Sequence, residues 1–195
     1  MELPNKKYKV IYADPPWKYG NWGKANPKSR PNSKVYPMPY NTMNITEIKS
    51  LPIKSLAENN CELYLWTTQK YLPIAFQIIE FWEFKYCQTL IWCKKPRGLG
   101  QGGLYCPTNE FLILARIGKM PKKRRIDSTW FLTKRPHNSH STKPNYFQEL
   151  IEKVSDSPRI ELFARQKRKG WDCFGNEVKS DIQLNSEGKF FSTQP

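Results

Sequence analysis

The sequence predicts an α/β domain in which a mostly parallel sheet carries helices on both faces. Short apolar runs bounded by turn residues alternate along the chain with segments whose apolar residues recur at helical spacing. The first such run, 8–13, ends abruptly in Asp14-Pro15-Pro16, as a buried strand does where it feeds a turn. The chain has 195 residues, 38% of them hydrophobic, enough for one compact core and too few for two.

In order, strands are predicted at 8–13, 62–67, 86–93, 111–115, 128–132 and 159–164. Short helices are expected at 46–51 and 53–58. Longer ones are expected at 71–82, where Leu72, Ala75, Phe76 and Ile79 fall on one face, and at 145–154. Right-handed crossovers would connect the parallel strands. Three long polar loops interrupt the pattern, at 18–40, 94–107 and 133–144; the first holds four prolines, three asparagines and two glycines. Residues 1–180 form the expected domain and 181–195 a polar C-terminal tail.

Lys and Arg outnumber Asp and Glu by 32 to 17, a formal net charge of +15 that attracts polyanions. Charge alone does not separate a nucleic-acid partner from a generic basic surface. Aromatics make up 14% of the chain, more than a small core needs, which leaves rings to stack on bases or a cofactor. The five cysteines form no C-x-x-C pair, and the only histidines are His137 and His140, so no metal site is expected. An odd cysteine count fits reduced thiols, and no stretch approaches a membrane span. The expectation is a soluble protein without membrane attachment, cytoplasmic in a bacterial or phage-infected cell, nuclear if eukaryotic.

The chemistry concentrates in Asp14-Pro15-Pro16-Trp17. A turn after a strand would use Asp and Pro for their conformational preferences alone. The same four residues also suit a reaction at a planar exocyclic amine. Asp14 accepts one N–H and a carbonyl of the stiff Pro15-Pro16 segment accepts the other, pulling nitrogen toward a nucleophilic geometry, while Trp17 or a neighbouring ring offers a stacking face.

At this tetrapeptide the chain resembles the MTA-type (DPPW) N6-adenine methyltransferases, a family that includes the messenger-RNA adenosine methyltransferase and many bacterial and phage DNA enzymes. The resemblance runs in family order over 8–178. It passes through Tyr40-Asn41-Thr42-Met43, Leu63-Tyr64-Leu65-Trp66, Ile91-Trp92-Cys93-Lys94 and Asn109-Glu110. It continues through His140-Ser141-Thr142-Lys143-Pro144, Glu161-Leu162-Phe163-Ala164-Arg165 and Gly175-Asn176-Glu177. It implies a Rossmann-like methyltransferase domain, with the catalytic motif before the cofactor motif, that uses S-adenosylmethionine. On that resemblance Glu161, Phe163 and Arg165 hold the ribose and adenosine side with Asn176 and Glu177 nearby, Lys143 pairs with the methionine carboxylate, and Ser141 and Asp14 join the cofactor set. Independently, an acidic residue on a strand near a sheet's switch point suits ribose hydroxyls. There are departures: no G-x-G-x-x-G occurs, Glu83 stands where the family has Gly, and only thirteen residues precede Asp14.

Tyr19, Trp22, Lys24, Lys28, Arg30 and Tyr40, in and beside the loop after DPPW, mix charge and rings as a nucleic-acid grip would; a disordered solubilising loop has the same composition. Lys122, Lys123, Arg124 and Arg125 form a basic run suited to phosphates or to plain surface. The expected partner is nucleic acid, DNA before RNA, with a homodimer or a heterodimer with a related subunit as the candidate assemblies. Methylation of RNA and a silent nucleic-acid-binding subunit are the alternatives, and cytosine N4 methylation is the chemical runner-up.

Overall fold

The computed structural model describes residues 6–18, 41–95, 104–119, 124–136, 142–184 and 190–192. Seven strands form one sheet: β1 (Tyr8–Ala13), β2 (Ala57–Thr67), β3 (Lys85–Lys95), β4 (Asn109–Ile117), β5 (Trp130–Lys134), β6 (Arg159–Leu162) and β7 (Asp172–Phe174), in the order β5-β3-β4-β2-β1-β6-β7. All neighbours run parallel except at β4, which is antiparallel to β2 and β3. This is the mostly parallel, Rossmann-like sheet that the sequence implies.

Side chains alternate across the sheet, as the two-residue period of a strand requires. Ile11, Ala13, Leu63 and Leu65 face one core, covered by α1 (Ile45–Lys49), α2 (Ile53–Leu56) and α3 (Leu72–Phe81). Val10, Tyr12, Tyr64 and Trp66 face the other, covered by α4 (Tyr146–Val154). Helices thus lie on both faces. The start of α1 is fixed by a capping box: the Glu47 N–H donates to Asn44 Oδ1 at 2.9 Å, and the Asn44 N–H to Glu47 Oε2 at 2.6 Å.

The second core is largely aromatic. Trp66 meets Tyr12, Trp92 and Phe147 edge-on, and Phe147 meets Phe131 the same way. Most described tryptophans are therefore structural, so the aromatic surplus expected for base stacking is smaller than composition suggests.

Several details depart from the sequence expectation, among them residues 57 and 58, expected to end a helix but opening β2. The strand predicted to run to residue 164 stops at Leu162, because Phe163 takes a φ of 64° and turns the chain. Past residue 180, where sequence suggests only a polar tail, Asp181 and Ile182 are buried, and β8 (Ile182–Leu184) pairs antiparallel with β9 (Phe190–Ser192). Ile182 joins the first core, and the Asp181 carboxylate accepts from the Cys173 N–H at 3.0 Å. Burial of these two residues offsets the cost of ordering a mostly polar segment.

Candidate active site

The parallel strands β1, β2 and β6 end at one edge of the sheet, and a cavity of about 480 Å³ opens there, the position at which open α/β sheets bind ligands. Asp14, Pro15, Pro16 and Trp17 leave the end of β1 and line it. Because β1 pairs with β6, the turn after β6 brings Phe163, Ala164 and Arg165 to the opposite wall. The segment after β7 adds Gly175, Asn176 and Glu177, and Lys143, just before α4, completes the set. Residues more than a hundred positions apart in sequence meet because the topology makes their strands neighbours.

Close backbone contact fixes these segments. The Ala164 N–H donates to the Phe174 carbonyl at 2.9 Å, and a Cβ on Gly175 would lie 2.1 Å from the Ala164 carbonyl oxygen, so only glycine fits there. Ser180 Oγ accepts the Gly175 N–H at 3.0 Å and donates to the Gly175 carbonyl at 3.2 Å. In the Asp-Pro-Pro-Trp turn, the Pro15 carbonyl accepts the Trp17 N–H at 2.8 Å and the Pro16 carbonyl the Met43 N–H at 2.9 Å. Each keeps a second lone pair.

Trp17 is 4% exposed. Its ring stacks on Tyr71 with centroids 5.0 Å apart, and its indole N–H donates to the Trp66 carbonyl at 3.1 Å. One face of the ring is therefore already used. The Tyr71 hydroxyl donates to the Lys18 carbonyl.

A buried charge network underlies the cavity. Lys143 Nζ lies 2.7 Å from Asp14 Oδ2 and 3.3 Å from Glu110 Oε2, and Lys94 Nζ lies 2.6 Å from Glu110 Oε1. The Lys143 side chain is 10% exposed and that of Asp14 25%. Burial opposes the charge on Lys143, but the two carboxylates outweigh it and hold the ammonium firmly protonated. Burial dominates at Asp14 and raises its pKa although Lys143 pulls it down. At Glu110 burial is again the largest single effect, yet Lys143 and Lys94 together bring the pKa below its ordinary value.

Sequence reasoning gave Lys143 an exogenous carboxylate as partner; in the structure two protein carboxylates hold it. Glu110 and Lys94 were visible only as parts of motifs, without a role, since a charge network of this kind leaves no periodicity to read. Asn41, Thr42, Met43, Thr67 and Thr68 also line the cavity.

Glu161 does not line the cavity. It lies on β6, where Oε2 accepts from Gln148 Nε2 of α4 at 2.7 Å, and burial raises its pKa to about 7. Arg165 and Glu177 pair across the cavity mouth at 3.6 Å. Arg124 and Arg125 are exposed, the latter 2.9 Å from Asp127. The predicted residues Ser141, Tyr19, Trp22, Lys24, Lys28, Arg30, Tyr40, Lys122 and Lys123 lie outside the described residues. Among the described residues no cluster of potential metal ligands occurs, no helix is long and apolar enough to cross a membrane, and the five cysteines are free thiols.

A sheet whose carboxyl edge holds an Asp-Pro-Pro-Trp turn opposite a glycine-tightened loop is the arrangement that the resemblance to the amino-group methyltransferases implies. The MT-A70 family pattern matches residues 8–177, and the chain belongs to that family. It is similar to Type II methyltransferase M.MunI of a Mycoplasma species, 31% identical over 96% of this chain and 85% of the relative. It also resembles N(6)-adenine-specific methyltransferase METTL4 of Homo sapiens, 27% identical over 89% of this chain and 38% of that protein. With N(6)-adenosine-methyltransferase subunit METTL3 of Danio rerio it shares 24% identity, over 93% of this chain and 30% of that protein. The chain thus spans most of the first relative and about a third of the other two.

Proposed function

We propose that this chain transfers a methyl group from S-adenosylmethionine to the N6 amine of adenine in DNA. The observation that carries the reading is the meeting, in one cavity, of Asp14-Pro15-Pro16-Trp17 with Lys143 and the Phe163–Arg165 and Gly175–Glu177 segments. The residues fit an amino-acid nucleoside. The cavity has the size of a small-molecule site, a carboxylate and an ammonium stand side by side in its floor, and polar Asn176 and Glu177 with the Phe163 ring line the rest.

When bound, S-adenosylmethionine supplies an electrophilic methyl group. Asp14 accepts an N–H of the amine, and burial makes its carboxylate a stronger acceptor than an exposed one. The second lone pair of the Pro15 or Pro16 carbonyl accepts the other N–H. Lys143 favours the ionised form of Asp14 and, as the family resemblance implies, is the residue that pairs with the methionine carboxylate. Glu110 and Lys94 hold Lys143 in place. Phe163, Arg165, Asn176, Glu177 and Ser141 contact the nucleoside side, with Glu161 supporting them from β6. Tyr19, Trp22, Lys24, Lys28, Arg30 and Tyr40 grip the nucleic acid, as do the arginines and lysines at 122–125. The catalytic unit is residues 1–180 together with Asp181 and Ile182, which pack into it, and it works in the compartment of its nucleic acid, alone or with a second subunit.

The intact tetrapeptide separates this reading from a silent binding subunit. The test is transfer of label from S-adenosylmethionine to matched DNA and RNA oligonucleotides, single- and double-stranded, followed by identification of the modified base. N6-methyladenine formed with higher kcat/KM in DNA is expected. Higher kcat/KM on RNA would move the substrate to RNA and leave the amine chemistry standing, while methylation of cytosine or of nothing would remove the reading.

A further inference from the structure

Among the described tryptophans, Trp17, Trp66, Trp82, Trp92 and Trp171 are buried, whereas Trp130 is 62% exposed. It opens β5, the edge strand of the sheet. Alternation along β5 sends Phe131 into the aromatic core and puts Trp130, Leu132 and Lys134 on the opposite face. Leu132 is 55% exposed and Lys134 is exposed as well. Helix α3 packs on this side of the sheet against β2 and β3, and Trp130 and Leu132 of β5 are exposed. Trp130 and Leu132 together present an exposed apolar strip on the sheet edge.

The strip is level with the active site. Thr67 of the cavity wall faces Phe111, Phe111 faces Ile91, and Ile91 faces Trp130. Three strand spacings of about 4.8 Å put Trp130 roughly 14 Å along the sheet from Thr67, a span of a few nucleotides at about 3.4 Å per base along one strand. Exposed cations flank it on both sides, Arg124 and Arg125 before it, the latter paired with Asp127, and Lys134 and Arg135 after it.

The edge itself is closed to strand addition at this residue. Ser128 Oγ accepts the Trp130 N–H at 3.2 Å and donates to the Trp130 carbonyl at 2.6 Å, taking both outward backbone groups. A second copy would bring cations against cations on a chain of net charge +15. A partner that combines negative charge with flat π-surfaces meets neither obstacle.

We propose that the Trp130–Leu132–Lys134 face docks the nucleic-acid strand beside the reacting base. A flanking base stacks on Trp130, and neighbouring phosphates meet Lys134 and Arg135 on one side and Arg124 and Arg125 on the other. This rests on the nucleic-acid methyltransferase reading and adds to it a surface outside the cavity.

The test uses the full chain and a fluorescently labelled oligonucleotide that the wild type methylates. W130A should weaken oligonucleotide binding and raise its KM on the order of 10-fold or more, as loss of one base–aromatic stack does. Its kcat and S-adenosylmethionine affinity should be unchanged, and W130F should recover most of the affinity. An unchanged Tm of W130A separates this effect from loss of fold. Wild-type oligonucleotide affinity and KM in W130A would overturn the proposal while methylation by the wild type kept the functional reading intact. A wild type that neither binds nor methylates nucleic acid would remove both. A dimer in sedimentation that W130A converts to monomer, with oligonucleotide affinity unchanged, would assign the face to a second copy and overturn the proposal too.

Discussion

The Lys143 ammonium sits 2.7 Å from the Asp14 carboxylate in a site where both side chains are largely shielded from water. Removing either partner therefore does more than delete one contact, because the charge left behind is stranded. Asp14→Asn keeps the shape, leaves Lys143 with Glu110, and replaces an acceptor oxygen by a donor. It should lower kcat on the order of 100-fold or more, with cofactor affinity, read by calorimetry, changed far less. A variant with wild-type kcat would remove Asp14 from the reacting centre.

Lys143→Ala should act on both steps. Loss of a charge-assisted hydrogen bond of about 1.5–3 kcal/mol should raise the cofactor Kd by 10-fold or more, and release of Asp14 from its counter-charge should lower kcat. Calorimetry and single-turnover kinetics read the two separately. Unchanged cofactor affinity would leave Lys143 as a holder of Asp14 alone.

Glu161 gives a pH dependence of stability with a definite sign. Burial, opposed in part by the Gln148 amide and reinforced by Asp14, raises its pKa from the ordinary 4.5 to about 7. Between those values the folded protein keeps a proton that the unfolded chain has released, so this group's contribution to stability falls as pH rises through that window and levels off above it. Glu161→Gln should therefore gain Tm relative to wild type as pH moves from 5 to 8. A difference that stays constant with pH would contradict the assignment.

Glu83 holds a φ of 62°, in the left-handed region where glycine is at ease. Its side chain pairs with Lys54 in an exposed contact worth little. Glu83→Gly should stabilise the fold by about 0.5–1 kcal/mol, the relief of a left-handed non-glycine residue less the added entropy of an unfolded glycine. Chemical denaturation measures it, and a loss of stability would show that the Lys54 pair outweighs the strain.

The alternation of apolar strands with helix-periodic segments made the sheet, its flanking helices and the Asp14 turn legible, because burial on two faces imposes those periods directly. The reversed direction of β4 was not legible, since an apolar run reads the same in either direction. Three-residue β7, β8 and β9 are too short to show a period, and Ile182 looked like one apolar residue in a polar stretch. Glu83 was flagged by its departure from the family pattern, and its positive φ gives the physical reason glycine belongs there. The link from Lys143 through Glu110 to Lys94 could not be foreseen, because it joins loop and strand residues that only the tertiary arrangement brings together.

The pairing of β1 with β6 sets a schedule for synthesis. During translation β1 emerges first and can pair with β2, but its other edge stays bare until residues 159–162 are made. A nascent or truncated chain ending before β6 thus exposes the unpaired edge of a mostly apolar strand, the kind of surface that chaperones retain and that aggregates recruit. The cavity wall formed by Phe163–Arg165 and Gly175–Glu177 is made last, so the complete pocket arrives only near the end of synthesis.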